Sequence, residues 1–183
     1  SGFINEIGFE TYQKILEEAI DELKENEFKT LFNQEETDYK KEYVKEVQID
    51  TDMELLLPDE YISVVSERLA LYNELSSIKD EEKLGRFRKN MEDRFGKIPL
   101  QGLELLNTLR VKWIASQLGL ERLIIKNKKC VCYFLTDQKS EFFHSKIFNQ
   151  ILLTVKNNSK SYKIKEKETR KGLRLILTIG NID

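Results

Sequence analysis

After Gly8, apolar residues fall at Phe9, Tyr12, Leu16, Ala19, Ile20 and Leu23, with Glu17, Glu18, Asp21 and Glu22 largely elsewhere. Spacings of three and four mark one face of an amphipathic helix. From Asn26 to about Lys45 the period dissolves into polar residues, Asn33 to Lys41 above all, as in a linker or mobile loop. The pattern therefore predicts a helical arm over residues 1–28, a linker or mobile loop over 29–45 and a domain over 46–183.

Within that domain Val47, Ile49, Thr51, Met53, Leu55 and Leu57 occupy every second position, which predicts a half-buried strand or a bent strand pair stopped by Pro58-Asp59. A helix beginning beside Pro58 is expected to bury one stripe, Ile62, Val65, Leu69, Tyr72 and Leu75. Asp80 is placed to cap the next helix, with Glu81 and Glu82 in its positively polarised first turn. Leu84, Phe87, Met91 and Phe95 form that helix's buried stripe, and Gly96 supplies a left-handed residue to close it. The short connector makes the two helices an antiparallel hairpin. Pro99 opens a third helix ending near Gly119, with Leu103, Leu105, Leu106, Leu109, Trp113, Ile114 and Leu118 spread over several sides. That breadth predicts a central helix packed on more than one neighbour.

The remainder changes type. Leu123 to Ile125, a Lys-Asn turn and Val131 to Leu135 read as a hairpin, and Phe143, Ile147, Phe148, Ile151 and Val155 as a helix. Tyr162 and Ile164, then Leu173, Leu175, Leu177 and Ile179, alternate as two more strands. The fold class is α+β: a helical hairpin and central helix packed with a small, mainly antiparallel sheet, closing on a ββαββ unit.

Thirty basic and thirty-two acidic side chains leave a net charge of −2, so no overall field draws the chain to nucleic acid or an anionic membrane. The distribution is uneven. Acids dominate from Glu17 to Glu60, whereas Lys156 to Arg174 holds eight cations against Glu166 and Glu168. Either end offers an electrostatic contact. No apolar run approaches the roughly 20 residues needed to span a bilayer, and the start lacks the layout of a secretion signal. The opening Ser1-Gly2-Phe3-Ile4, without methionine, reads as a cut inside a longer protein. Cys130 and Cys132, one residue apart in a strand, suit same-face side chains but not a structural disulfide, so reduced thiols and a cytoplasmic location are expected.

Catalytic chemistry finds little support. Gly96-Lys97 is followed by Ile98 and lacks the upstream glycine of a phosphate loop. A structural zinc site needs about four ligands, and Cys130, Cys132 and His144 supply three at most. They read as two buried small side chains and one surface imidazole. His144, the sole histidine, has no flanking nucleophile motif. Carboxylate pairs such as Glu17/Glu18 and Glu81/Glu82 read as solvated helix surface. Basic residues interleaved with Tyr162 suit phosphate contact and base stacking, although a lysine-rich edge hairpin that discourages aggregation explains Lys156 to Arg174 more simply. Asp93 lies off the apolar stripe near a helix end, where a carboxylate gains nothing from the helix dipole. It invites a cationic partner, or else pairs internally with Arg94 or Lys97.

Three strings accumulate in order. They are Gly8-Phe9 with Tyr12 and Leu16 to Ala19; Leu57 to Ile62 leading to Arg68-Leu69 and Tyr72; and Asp93-Arg94-Phe95-Gly96 before Pro99, Leu105-Leu106 and Leu118-Gly119. Together they resemble the carboxy-terminal region of bacterial transcription-repair coupling factors over most of residues 2–125. Beyond Leu135 only the order of elements carries the likeness.

The resemblance implies a parent that is an ATP- and magnesium-dependent double-stranded DNA translocase, displacing stalled RNA polymerase and recruiting the excision-repair protein UvrA. It implies that this fragment is not the motor and holds no cofactor. Residues 1–28 would follow the motor, and the rest would be a monomeric clamp on the parent's UvrA-binding module, repressing it until polymerase is engaged. In such proteins acids on the helix ending at Asp-Arg-Phe-Gly meet arginines of that module. Asp93 matches one acid, whereas the other position, three residues earlier, is the neutral Asn90. Glu92 or the Glu81-Glu82 end is the expected source of compensating charge.

Overall fold

The structure, a computed structural model, describes residues 41–170 and 172–180. The predicted arm helix and all but the last residues of the linker lie outside the described residues, as does Lys171. The described residues gather into two compact units, one of 51–114 and one of 41–50 with 115–180.

In the first unit, α1 (Val65–Ser77), α2 (Glu81–Phe95) and most of α3 (Leu100–Gln117) enclose a core of Leu57, Ile62, Leu71, Leu75, Leu84, Phe87, Met91, Ile98 and Leu106. Burying side chains of this size contributes about 1.5–3 kcal/mol each. α2 has the predicted form except at Phe95, the last residue of its expected stripe, which is only partly buried. Asp80 accepts a hydrogen bond from the Lys83 N–H at 2.8 Å, Leu84, Phe87 and Met91 are buried, and Gly96 ends the helix at a φ of 82°.

α1 departs from its expected stripe. Val65 and Leu69 are 59% and 58% exposed, and the buried line is Leu71, Leu75 and Ile78. The helix also starts later than expected: Pro58 accepts from the Tyr61 and Ile62 N–H groups in a separate turn, so Ile62 reaches the core from outside α1. Arg68 holds this turn, donating to the Ile62 carbonyl at 2.6 Å and pairing with Asp59 at 2.9 Å. In α3, Leu106 is buried, Leu103, Leu105, Leu109 and Trp113 pack partly buried on the same core, and Ile114 is 55% exposed.

The second unit is built on a five-stranded sheet in the order β1-β2-β3-β5-β4. Its strands are β1 (Gln48–Thr51), β2 (Leu120–Lys126), β3 (Lys129–Phe134), β4 (Tyr162–Thr169) and β5 (Gly172–Gly180). β2/β3, β3/β5 and β5/β4 pair antiparallel. The alternation from Val47 to Leu57 therefore yields only the short β1. The β2–β3 turn places Asn127 and Lys128 at φ of 52° and 58°, the positive values of a tight hairpin whose twist matches its strands. A 3-10 turn (Glu141–His144) holds Phe143, and α4 (Lys146–Asn157) begins anew at Ser145, whose hydroxyl accepts from the Phe148 N–H at 3.2 Å. Phe134, Phe142, Phe143 and Phe148 fill the core, with ring centroids 5.1–6.0 Å apart in mostly edge-to-face pairs.

β5 does not follow simple alternation, because Arg174, Leu175, Ile176 and Leu177 are all buried. Arg174 is tolerated there because it pairs with Glu121 and donates to the Phe134 carbonyl, while Glu121 also accepts from Thr136.

Candidate functional site

The capped start of α2 and its Tyr61-tethered end determine which charges stay free. At the start, the bidentate Arg110 guanidinium holds the Glu81 carboxyl below its usual range, at 2.7 and 2.5 Å, and the Lys83 backbone N–H does the same for Asp80. At the end, the Tyr61 hydroxyl donates to the Gly96 carbonyl at 2.9 Å, and burial followed by the nearby Glu92 charge pushes that phenol's pKa up. Arg94 reaches back to Glu67 at 2.8 Å, joining the end of α2 to the start of α1, which makes the two helices antiparallel.

These pairings use up nearly every charge on the helix. Glu81 belongs to Arg110, Glu82 to Arg86 and Glu92 to Arg88. Arg94 is taken by Glu67 and lies over the Phe95 ring at 4.6 Å, so it does not neutralise Asp93. Among the described residues, Asp93 is the one α2 carboxylate without a cation. The charges expected to compensate for Asn90, those of Glu92, Glu81 and Glu82, are committed within this unit.

Asn90 and Asp93 share the rim of a shallow groove of about 180 Å³ between α1 and α2, floored by Leu71, Phe87 and Met91. Glu74 of α1 lines the same groove, is exposed and has no described cation of its own. Sequence reading missed Glu74. It stands off the buried stripe in no motif, and only the packing of α1 on α2 brings it beside Asp93. The groove thus presents, around an apolar floor, one amide, two carboxylates without a cation among the described residues, and Arg94, whose guanidinium is already paired with Glu67. The free carboxylates suit guanidinium or ammonium groups carried on another protein segment.

Elsewhere, a larger hollow of about 580 Å³ lies among residues 43–48, 121, 135–137 and 140, but its Glu121 is engaged by Arg174 and Thr136. Arg174 is buried in its ion pair, Lys163, Lys165 and Lys167 alternate on one side of β4, and Tyr162 points to the other. Cys132 is buried and Cys130 half-buried on β3, with sulfurs 3.5 Å apart, and His144 is exposed in its turn. Among the described residues no group of three or more His, Cys, Asp or Glu is placed to hold a metal ion, and no helix is long and apolar enough to cross a membrane.

The family model of the TRCF domain matches residues 51–145. The chain is 33% identical over 157 residues to the transcription-repair-coupling factor of Helicobacter pylori strain 26695, covering 85% of this chain and 14% of that protein. It is 32% identical over 126 residues to the transcription-repair-coupling factor of Escherichia coli K12, covering 67% of this chain and 10% of that protein. It thus spans about a seventh or less of these relatives. A crystal structure of the C-terminal domain of a transcription-repair coupling factor shares the fold, with a TM-score of 0.51 at 19% identity over 76% of this chain and 84% of that one. On these matches the chain belongs to the TRCF domain family, the C-terminal domain of transcription-repair coupling factors.

Proposed function

We propose that this domain is a non-catalytic, autoinhibitory lid, and that the α1–α2 groove is the face with which it covers the UvrA-binding module of its own parent. In this reading Asp93 and Glu74 receive arginines of that module and Asn90 adds a neutral hydrogen bond. The second charge lost at Asn90 is supplied from the facing helix. The observation that carries the reading is that Asp93 has no cation among the described residues, when every other α2 carboxylate already has a partner. A carboxylate without an internal partner breaks no ion pair when it binds an external cation, so only desolvation and ordering oppose the gain from docking.

The parent would be an ATP- and magnesium-dependent translocase on double-stranded DNA. ATP and magnesium belong to its motor, and this domain works as a monomeric, intramolecular lid in the cytoplasm. Engagement of RNA polymerase would favour the open state, in which the groove contact is absent and UvrA can bind. A nucleic-acid role for Lys156 to Arg174 is the weaker reading, because Arg174 is committed to Glu121 and Tyr162 lies opposite the β4 lysines.

The test uses the full-length parent with Asp93→Ala, Glu74→Ala and the charge reversals Asp93→Lys and Glu74→Lys. UvrA affinity should rise about 5-fold or more, the low end of allosteric coupling, and basal ATP turnover should rise with it. Unchanged affinity and turnover in all four variants would defeat the proposal. Steep salt-dependent binding of duplex DNA by the isolated chain would favour the nucleic-acid reading instead.

A further inference from the structure

Cys130 and Cys132 project from the same face of β3 because side chains two apart share a face. Their sulfurs are 3.5 Å apart. Cys132 is 2% exposed and Cys130 half-buried, so one thiol opens toward solvent and the other lies behind it. The pair cannot easily close on itself. Residues two apart on a strand have Cα atoms separated by about 6.6 Å, the top of the range of about 4.4–6.8 Å that disulfides occupy. The sulfurs would have to approach to about 2.05 Å, buckling a strand paired on both sides, to β2 and to β5.

A third atom can bridge them with little movement. With sulfur bonds of about 2.3 Å, the 3.5 Å separation corresponds to an angle of about 99° at the bridging atom. A linear two-thiolate ion would need the sulfurs about 4.6 Å apart at the same bond length. A pyramidal, three-coordinate centre with a lone pair fits the narrower angle, and trivalent arsenic is the thiophilic element of that shape.

We propose that Cys130 and Cys132 form a bidentate thiol site for trivalent organoarsenicals. Cys130 reacts first. Its contact with the Cys132 thiol lowers its pKa against the opposing effect of burial, while Cys132 is pushed up by the same contact and by burial. With an arsenoxide, two As–S bonds form and the oxide oxygen leaves as water with the two thiol protons. No atom changes oxidation state.

The probe is phenylarsine oxide on the intact chain, followed by intact mass, free-thiol count and thermal midpoint. One phenylarsenic unit should add with loss of both of the chain's two thiols, resist excess monothiol, come off with a 1,2-dithiol and leave the midpoint unchanged or raised. Cys130→Ser, at the half-buried position, should lose the monothiol-resistant adduct. Cys132→Ala, checked for native circular dichroism, should do the same. Addition of two units, stripping by monothiol, an adduct surviving in Cys130→Ser or a fall in the midpoint would each overturn the proposal, the last because the arsenical would then prefer the unfolded chain.

Discussion

Gly119 closes the α3–β2 junction under two constraints at once, and Gly119→Ala tests both. Its φ is +64°, and a Cβ built there would lie 2.8 Å from three ring atoms of Phe142. Moving an L-residue into left-handed backbone costs roughly 1–2 kcal/mol. The steric part falls on a ring that cannot swing away, because Phe142 is 0% exposed and lies 5.2–5.8 Å from the rings of Tyr43, Phe134, Phe143 and Phe148. Overpacking of this kind typically costs 1–3 kcal/mol, so the substitution should destabilise by about 2–5 kcal/mol in all. Urea unfolding followed by far-UV circular dichroism measures it. The double variant Gly119→Ala/Phe142→Leu separates the two parts: a smaller side chain relieves the clash but not the backbone strain, so the pair should couple favourably by about 1 kcal/mol or more. A loss below about 1 kcal/mol, or zero coupling in the double-mutant cycle, would refute the reasoning.

Two further outcomes follow from charges whose settings are known. Arg174→Met leaves Glu121 without its cation in a partly buried site and should cost about 3 kcal/mol in chemical denaturation; Arg174→Met with Glu121→Leu should recover much of that loss, and failure to recover it would mean that the pair is not the source. Asp80, with its pKa lowered by the Lys83 N–H, contributes stability that is present above its unfolded value of about 4 and lost as pH falls through the folded one. Asp80→Asn keeps a capping oxygen but cannot titrate, so its thermal midpoint should depend less on pH across the acid range than the parent chain's; equal slopes would remove Asp80 from the account.

How far the sequence could be read depended on how local the deciding interaction was. α2 was legible apart from the partial burial of Phe95, because its cap, buried stripe and closing glycine act within one helix, from Asp80 to Gly96. The ββαββ order was legible for the same reason. α1 was not: two stripes can be drawn through Tyr72 and Leu75, one using Val65 and Leu69 and the other Leu71 and Ile78, and both satisfy helical spacing. Only the position of α2 selects the second. The strand pattern from Val47 to Leu57 states which side chains could share a face, but not whether a neighbouring strand exists beyond Thr51 to pair with.

By itself, then, the chain determined most of its elements and their order, since periodicity, capping and turn chemistry are written within a few neighbouring residues, while the candidacy of Asn90 and Asp93 came from the family resemblance that Asp93-Arg94-Phe95-Gly96 carries. Only the tertiary structure decided which acids were free. Arg94 could have paired with its neighbour Asp93 but reaches across to Glu67, and Glu74 joins the groove from the other helix. Whether a surface charge is paired depends on groups tens of residues away in sequence and a few ångströms away in space, and local pattern carries no record of that distance.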